Sequence, residues 1–136
     1  MPGLRKFNRI MELNVEYDKE SGVIRFRMPD EAWEVKFTEE TGEAFIKQME
    51  VECSGLEHRL LLIDLRGSRG NKPSREFRKW MRNHSSEMGF ERTACMIDSD
   101  VMRVISKFIM SSIGRLKDTQ FFKTEEEALK WLKGEK

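Results

Sequence analysis

The chain is short of cysteine, histidine and long apolar runs, and each shortage closes off a class of protein. Cys53 and Cys95 are the only cysteines, too few for a disulfide-stapled miniature fold. One falls late in an expected helix and the other inside an expected buried strand, so two packed thiols are anticipated. His58 and His84 are the only histidines. Neither has a cysteine at ligand spacing, so there is no zinc signature and no metal site is expected. No apolar run approaches the roughly 20 residues that span a bilayer. The start of the chain, Met1-Pro2-Gly3-Leu4-Arg5-Lys6-Phe7, lacks the apolar core of a secretory signal. The expected location is the cytoplasm. There is also no internal repeat and no low-complexity linker to divide the chain.

What is present is charge. Charged residues make up 36% of the 136 positions and hydrophobic ones 38%, the composition of one globular domain with a heavily solvated surface. A chain of this length buries roughly two-thirds of its unfolded surface. The net charge of +1 hides a polarity. Residues 12–57 hold 13 acids against 5 bases, whereas residues 66–82 hold 7 bases against 1 acid. The basic stretch either is solvated surface or meets an anion. Nucleic acid is an unsuitable partner, because the acidic first part repels a phosphate backbone.

Residues 1–10 read as a loose arm and residues 11–133 as a single domain. From Met11 apolar and polar residues alternate: Leu13, Val15 and Tyr17 on one face, then Ile24, Phe26 and Met28 after a turn at Gly22, then Trp33, Val35 and Phe37. Alternation of this kind predicts a three-stranded antiparallel meander. A helix is expected over residues 38–54, with Phe45, Ile46, Met49 and Cys53 as its apolar stripe. The run Leu60-Leu61-Leu62-Ile63-Asp64-Leu65 reads as a strand buried on both faces. A helix over residues 74–88 follows, Phe77, Trp80, Met81, His84 and Met88 on one side and Arg75, Arg78, Lys79 and Arg82 on the other. His84 fits a packed, hydrogen-bonded histidine better than a catalytic base. The second buried strand runs through Thr93-Ala94-Cys95-Met96-Ile97. A third helix covers residues 100–116, a short strand residues 119–122, and a last helix begins at the capping box Thr124-Glu125-Glu126-Glu127. Strands separated by helices imply crossovers and a mostly parallel core. The expected fold is therefore α/β: a mixed sheet with antiparallel strands first, then βαβαβα.

Three constellations carry candidate chemistry. The first is the loop after the central strand, where Arg66, Gly67, Arg69, Gly70, Lys72 and Arg75 precede or open a helix. Ligands of open α/β sheets bind at this edge, and backbone N–H groups, a helix N-terminus and arginines all favour an anion or an acidic protein surface. The loop lacks the Gly-x-x-x-x-Gly-Lys-Ser/Thr pattern of a phosphate loop. The second is the pair Asp64 and Asp98, each ending a strand at the same edge. Paired carboxylates hold Mg²⁺ or act as acid and base, but aspartates in this position also cap turns and helices. No residue completes a triad, so no catalytic residue and no cofactor is assigned. The third is the third helix, apolar over half its circumference. Met102, Phe108, Ile109 and Ile113 are its candidate interface, toward a second copy in a homodimer or toward a lipid-like ligand.

The strand and loop Leu61-Leu62-Ile63-Asp64-Leu65-Arg66-Gly67, the strand Thr93-Ala94-Cys95-Met96-Ile97 and the ending Phe121-Phe122-Lys123-Thr124-Glu125-Glu126-Glu127-Ala128-Leu129-Lys130-Trp131-Leu132 resemble the STAS fold of sulfate transporters and anti-sigma-factor antagonists. More narrowly they resemble its SpoIIAA-like (STAS/SEC14-like) group. The resemblance implies a STAS-like domain over about residues 11–133 and a non-enzymatic, regulatory, protein-binding role. Its SEC14-like side implies a small anionic or lipid-like ligand as the alternative. In the antagonist branch a serine of an Asp-Ser-Ser/Thr-Gly motif is a phospho-switch. That motif is absent here, and Ser68 is the hydroxyl in the comparable loop.

Overall fold

A computed structural model describes residues 14–27, 39–67 and 75–134. Strand β1 (Asn14–Asp18) and strand β2 (Val23–Arg27) form the expected hairpin, with Val15 opposite Phe26 and Tyr17 opposite Ile24. Gly22 closes it at φ +75°, donating its N–H to the Asp18 carbonyl at 2.8 Å. The third meander strand expected around Trp33 lies outside the described residues, as does the arm at residues 1–10. Helix α1 (Glu39–Cys53) leads to β3 (Leu60–Asp64), helix α2 (Arg75–Met88) to β4 (Arg92–Met96), and helix α3 (Asp100–Ser112) to β5 (Thr119–Phe122). Helix α4 (Glu125–Leu132) closes the chain.

The sheet runs in sequence order, β1-β2-β3-β4-β5, antiparallel at the first pair and parallel at the other three. That order decides where the helices go. Each crossover steps to the next strand in the same direction, and a constant hand of crossover then sends α1, α2 and α3 to one face. On that face Ile24, Leu61, Ile63, Leu65, Cys95 and Ile97 pack against Met49, Cys53, Trp80, Met102 and Met110. The alternate residues Val23, Leu62, Ala94 and Met96 point the other way and meet Ala128 and Leu132 of α4. An apolar run without alternation is thus what a strand covered on both faces requires.

The helix ends follow local chemistry. Thr124 accepts a hydrogen bond from the Glu127 N–H at 3.2 Å, and its hydroxyl donates to the Glu127 carboxylate at 3.0 Å. Ser99 caps α3 by accepting from the Met102 N–H. Helix α3 stops at Ser112, short of the expected residue 116. Gly114 takes φ +77°, its N–H reaches the Ser111 carbonyl, and the Arg115 N–H reaches back to Met110. This double bond pattern around a left-handed glycine satisfies the last carbonyls and ends a helix. Leu116 accordingly starts a short 3₁₀ turn (Leu116–Asp118).

Candidate functional site

At the carboxyl edge of the sheet, β3 and β4 each deliver an aspartate, and both aspartates grip the same loop. Asp64 accepts from the Arg66 backbone N–H at 3.0 Å, and Asp98 accepts from the next N–H, that of Gly67, also at 3.0 Å. Gly67 sits at φ +86°, a conformation in which a side chain is strained. The turn that leaves β3 is therefore set by two carboxylates and a glycine. Asp64 also receives Arg66 side-on, Nε at 3.0 Å and Nη2 at 3.1 Å. Burial pushes the Asp64 carboxyl up. The Arg66 side-chain and backbone hydrogen bonds and the nearby charge of Arg27 outweigh this and hold it below the ordinary carboxylate range. The same pair raises Arg66.

Of the two roles open to Asp64 and Asp98, the geometry displays the capping one. Among the described residues no group of three His, Cys, Asp or Glu side chains is placed to hold a metal ion. The arginine and N–H groups at the start of the loop are already engaged, so an external anion would compete with Asp64 for Arg66 and with Asp98 for Gly67. Arg75 is exposed at the first turn of α2. Ser68, Arg69, Gly70 and Lys72 lie outside the described residues.

On the α4 face of the sheet, Arg25 bridges Asp18 at 2.9 Å and also pairs with Glu125 of the first turn of α4. Asp18 accepts from Ser21 at 2.7 Å. The hydrogen bonds of Ser21 and then Arg25 depress its carboxyl to about 2. This network ties the hairpin to α4 and is structural. It pairs residues far apart in sequence, which periodicity does not reveal.

The third-helix interface expected from sequence requires correction. Met102 and Ile113 are 3% and 6% exposed and belong to the core, because together with Ser106 and Met110 they form the stripe of α3 that faces the sheet. Ile109 is partly buried. Only Phe108, 48% exposed, stands at the surface, and its true companions are Val101 and Val104 at 66% and 68%. Their i, i+3, i+7 spacing was readable, but not which half of an apolar helix would face outward.

The same layer holds an apolar pocket of about 90 Å³, partly open to solvent, between the sheet, α2 and α3, bounded by residues including Phe26, Leu65, Phe77, Met81 and Ser106. The Ser106 hydroxyl, 1% exposed, has no hydrogen-bond partner among the described residues. One small polar residue does not interrupt an apolar stripe, so periodicity gives Ser106 no signal. His84, expected from the sequence as a packed core histidine, is instead only half-buried at the surface of α2. It stacks on Trp80 with ring centroids 4.8 Å apart and meets Glu87 at 3.2 Å.

A protein-family model described as SpoIIAA-like matches residues 30–133. The chain belongs to the SpoIIAA-like family. Among the described residues, the five-stranded mixed sheet and its four helices accord with the STAS fold of that family. Membership suggests a regulatory, non-enzymatic module. No curated protein and no solved structure matches the chain. No helix among the described residues of this SpoIIAA-like domain is long and apolar enough to cross a membrane.

Proposed function

We propose that this SpoIIAA-like domain is a non-enzymatic regulatory module of the cytoplasm that binds another protein at the carboxyl edge of its sheet. Family membership over residues 30–133 is the observation that carries the proposal. The geometry supports it: Asp64 and Asp98 fix the first two N–H groups of the loop, so the chain enters the basic segment in a set direction. Ser68 follows immediately. A phosphate there adds about −1.5 to −2 charges to a sequence stretch that carries Arg66, Arg69, Lys72 and Arg75, and so offsets the positive charge a partner would meet. The test is native affinity capture with phosphosite mapping, followed by the triple variant Arg66→Ala, Arg69→Ala, Arg75→Ala. A captured partner is expected to bind the variant more weakly in low salt. Unchanged affinity for every identified partner rejects the site.

A second function, carriage of a small apolar or anionic ligand, is favoured by one observation: the apolar pocket with the unpartnered Ser106 hydroxyl. Size ranks it second. A 150 Å³ apolar cavity takes benzene, and about 90 Å³ is smaller, so a lipid chain would have to part α2 from α3. Native mass spectrometry of the purified protein tests this. A copurifying small molecule lost in Ser106→Phe favours it, and a mass equal to the bare chain counts against it.

A further inference from the structure

Helices α2 and α3 lie side by side on one face of the sheet, and each presents a row with the same spacing. On α3, Val101, Val104 and Phe108 stand exposed at i, i+3 and i+7. On α2, Arg75, Arg78 and Arg82 repeat that interval. The rows adjoin, because the Arg78 guanidinium lies over the Phe108 ring, 5.3 Å from its centroid. None of the three arginines forms an ion pair with another described residue. The Arg78 Nε–H is buried and lacks an acceptor among the described residues.

We infer that these two rows form a docking surface for an acidic amphipathic helix of a partner protein, sharing only Arg75 with the loop edge. An apolar row and a parallel cationic row at helical spacing are the complement of a helix with an apolar stripe and glutamates or aspartates along one flank. Arginine supports a carboxylate partner, since its planar fork pairs with one through two hydrogen bonds. A bilayer fits less well. The ridge carries no Trp or Tyr to sit at a lipid interface, and exposed Glu76 and Asp100 at the first turns of the same helices oppose an anionic surface. A two-fold contact between copies would set the arginine row against another arginine row or against the apolar row, with no carboxylate in either row to meet it.

The probe is a synthetic three-turn helical peptide with leucines at i, i+3 and i+7 and glutamates along one flank, measured by fluorescence anisotropy against the full chain. Three competitors accompany it: a scrambled peptide of equal composition, a peptide with lysines replacing the glutamates, and phosphatidylserine vesicles. Binding of the glutamate peptide is expected, weakened by salt and weakened about tenfold or more in Val104→Glu and in Arg82→Glu. Arg82→Glu is also expected to bind the lysine peptide better than the wild type does, a gain that misfolding does not produce. The loop variant Arg66→Ala, Arg69→Ala should retain the peptide, so failure of this surface and failure of the loop site are separable. Equal binding of the scrambled peptide overturns the inference. So does vesicle binding abolished by Val104→Glu, or a dimer of the free chain that Val104→Glu dissociates.

Discussion

Replacing Gly42 by alanine tests the packing that places α2 against α1. Gly42 is buried in the second turn of α1, and no positive φ requires a glycine there. Propensity alone predicts that alanine stabilises the helix by about 1 kcal/mol. The structure predicts the opposite sign. A Cβ at position 42 falls 2.4 Å from Trp80 Cε2 and 2.6 Å from Cζ2 and Nε1, where unstrained carbon contacts lie near 3.5–4.0 Å. Trp80 is 4% exposed, so its ring must shift by about 1 Å into a filled core. Overpacking of this kind costs about 1–3 kcal/mol. Set against the propensity gain, the expected net is a loss of about 1 kcal/mol. The assay is urea unfolding followed by far-UV circular dichroism, with a lower midpoint at unchanged slope. In a Trp80→Leu background, where the ring is gone, Gly42→Ala should become neutral or stabilising. A Gly42→Ala single variant more stable than the wild type by the propensity increment would refute the contact.

Three further outcomes are expected. Ser106→Val removes an unpartnered buried hydroxyl and extends a methyl group toward the adjoining pocket, so stability should rise by about 1 kcal/mol, read as a higher Tm. Asp18 titrates at about 2 against an ordinary 3.8. Because its folded pKa is depressed, its stabilising contribution is complete above 3.8 and is lost as the pH falls toward about 2. In Ser21→Ala the carboxyl should move back up, as seen by NMR titration of its chemical shift. Cys95 is fully buried and its thiol is pushed up to about 12 by burial, and burial also raises Cys53. Neither should react with a thiol reagent in the native protein, and both should react in urea.

Much of the fold was legible because the signals were local. Thr124 and Glu127 mark the start of α4, and the unbroken run from Leu60 to Leu65 marks a strand covered on both faces. The basic and apolar sides of α2 separate cleanly by angle. The candidate edge was legible as a position, but not its internal wiring: that Asp64 and Asp98 hold successive N–H groups depends on two strands being neighbours. On α3, both halves of a largely apolar helix satisfy the same periodicity. Periodicity therefore does not tell Met102 and Ile113, which are buried, from Val101 and Val104, which are exposed.

Periodicity, caps and turn residues by themselves determined the order of the described elements, the two-sided burial of β3 and β4 and the delivery of Arg66 and Gly67 to the carboxyl edge of the sheet. Each depends on residues within a few positions of one another, and backbone hydrogen bonding and side-chain direction act at that range. Only the tertiary structure decided which face of α3 meets the sheet, that Gly42 must make room for Trp80, and that an arginine row on α2 lies beside an apolar row on α3. Those facts depend on how neighbouring helices are rotated about their own axes when packed. Rotation is settled by the fit of facing side chains, and no single segment contains both partners of that fit.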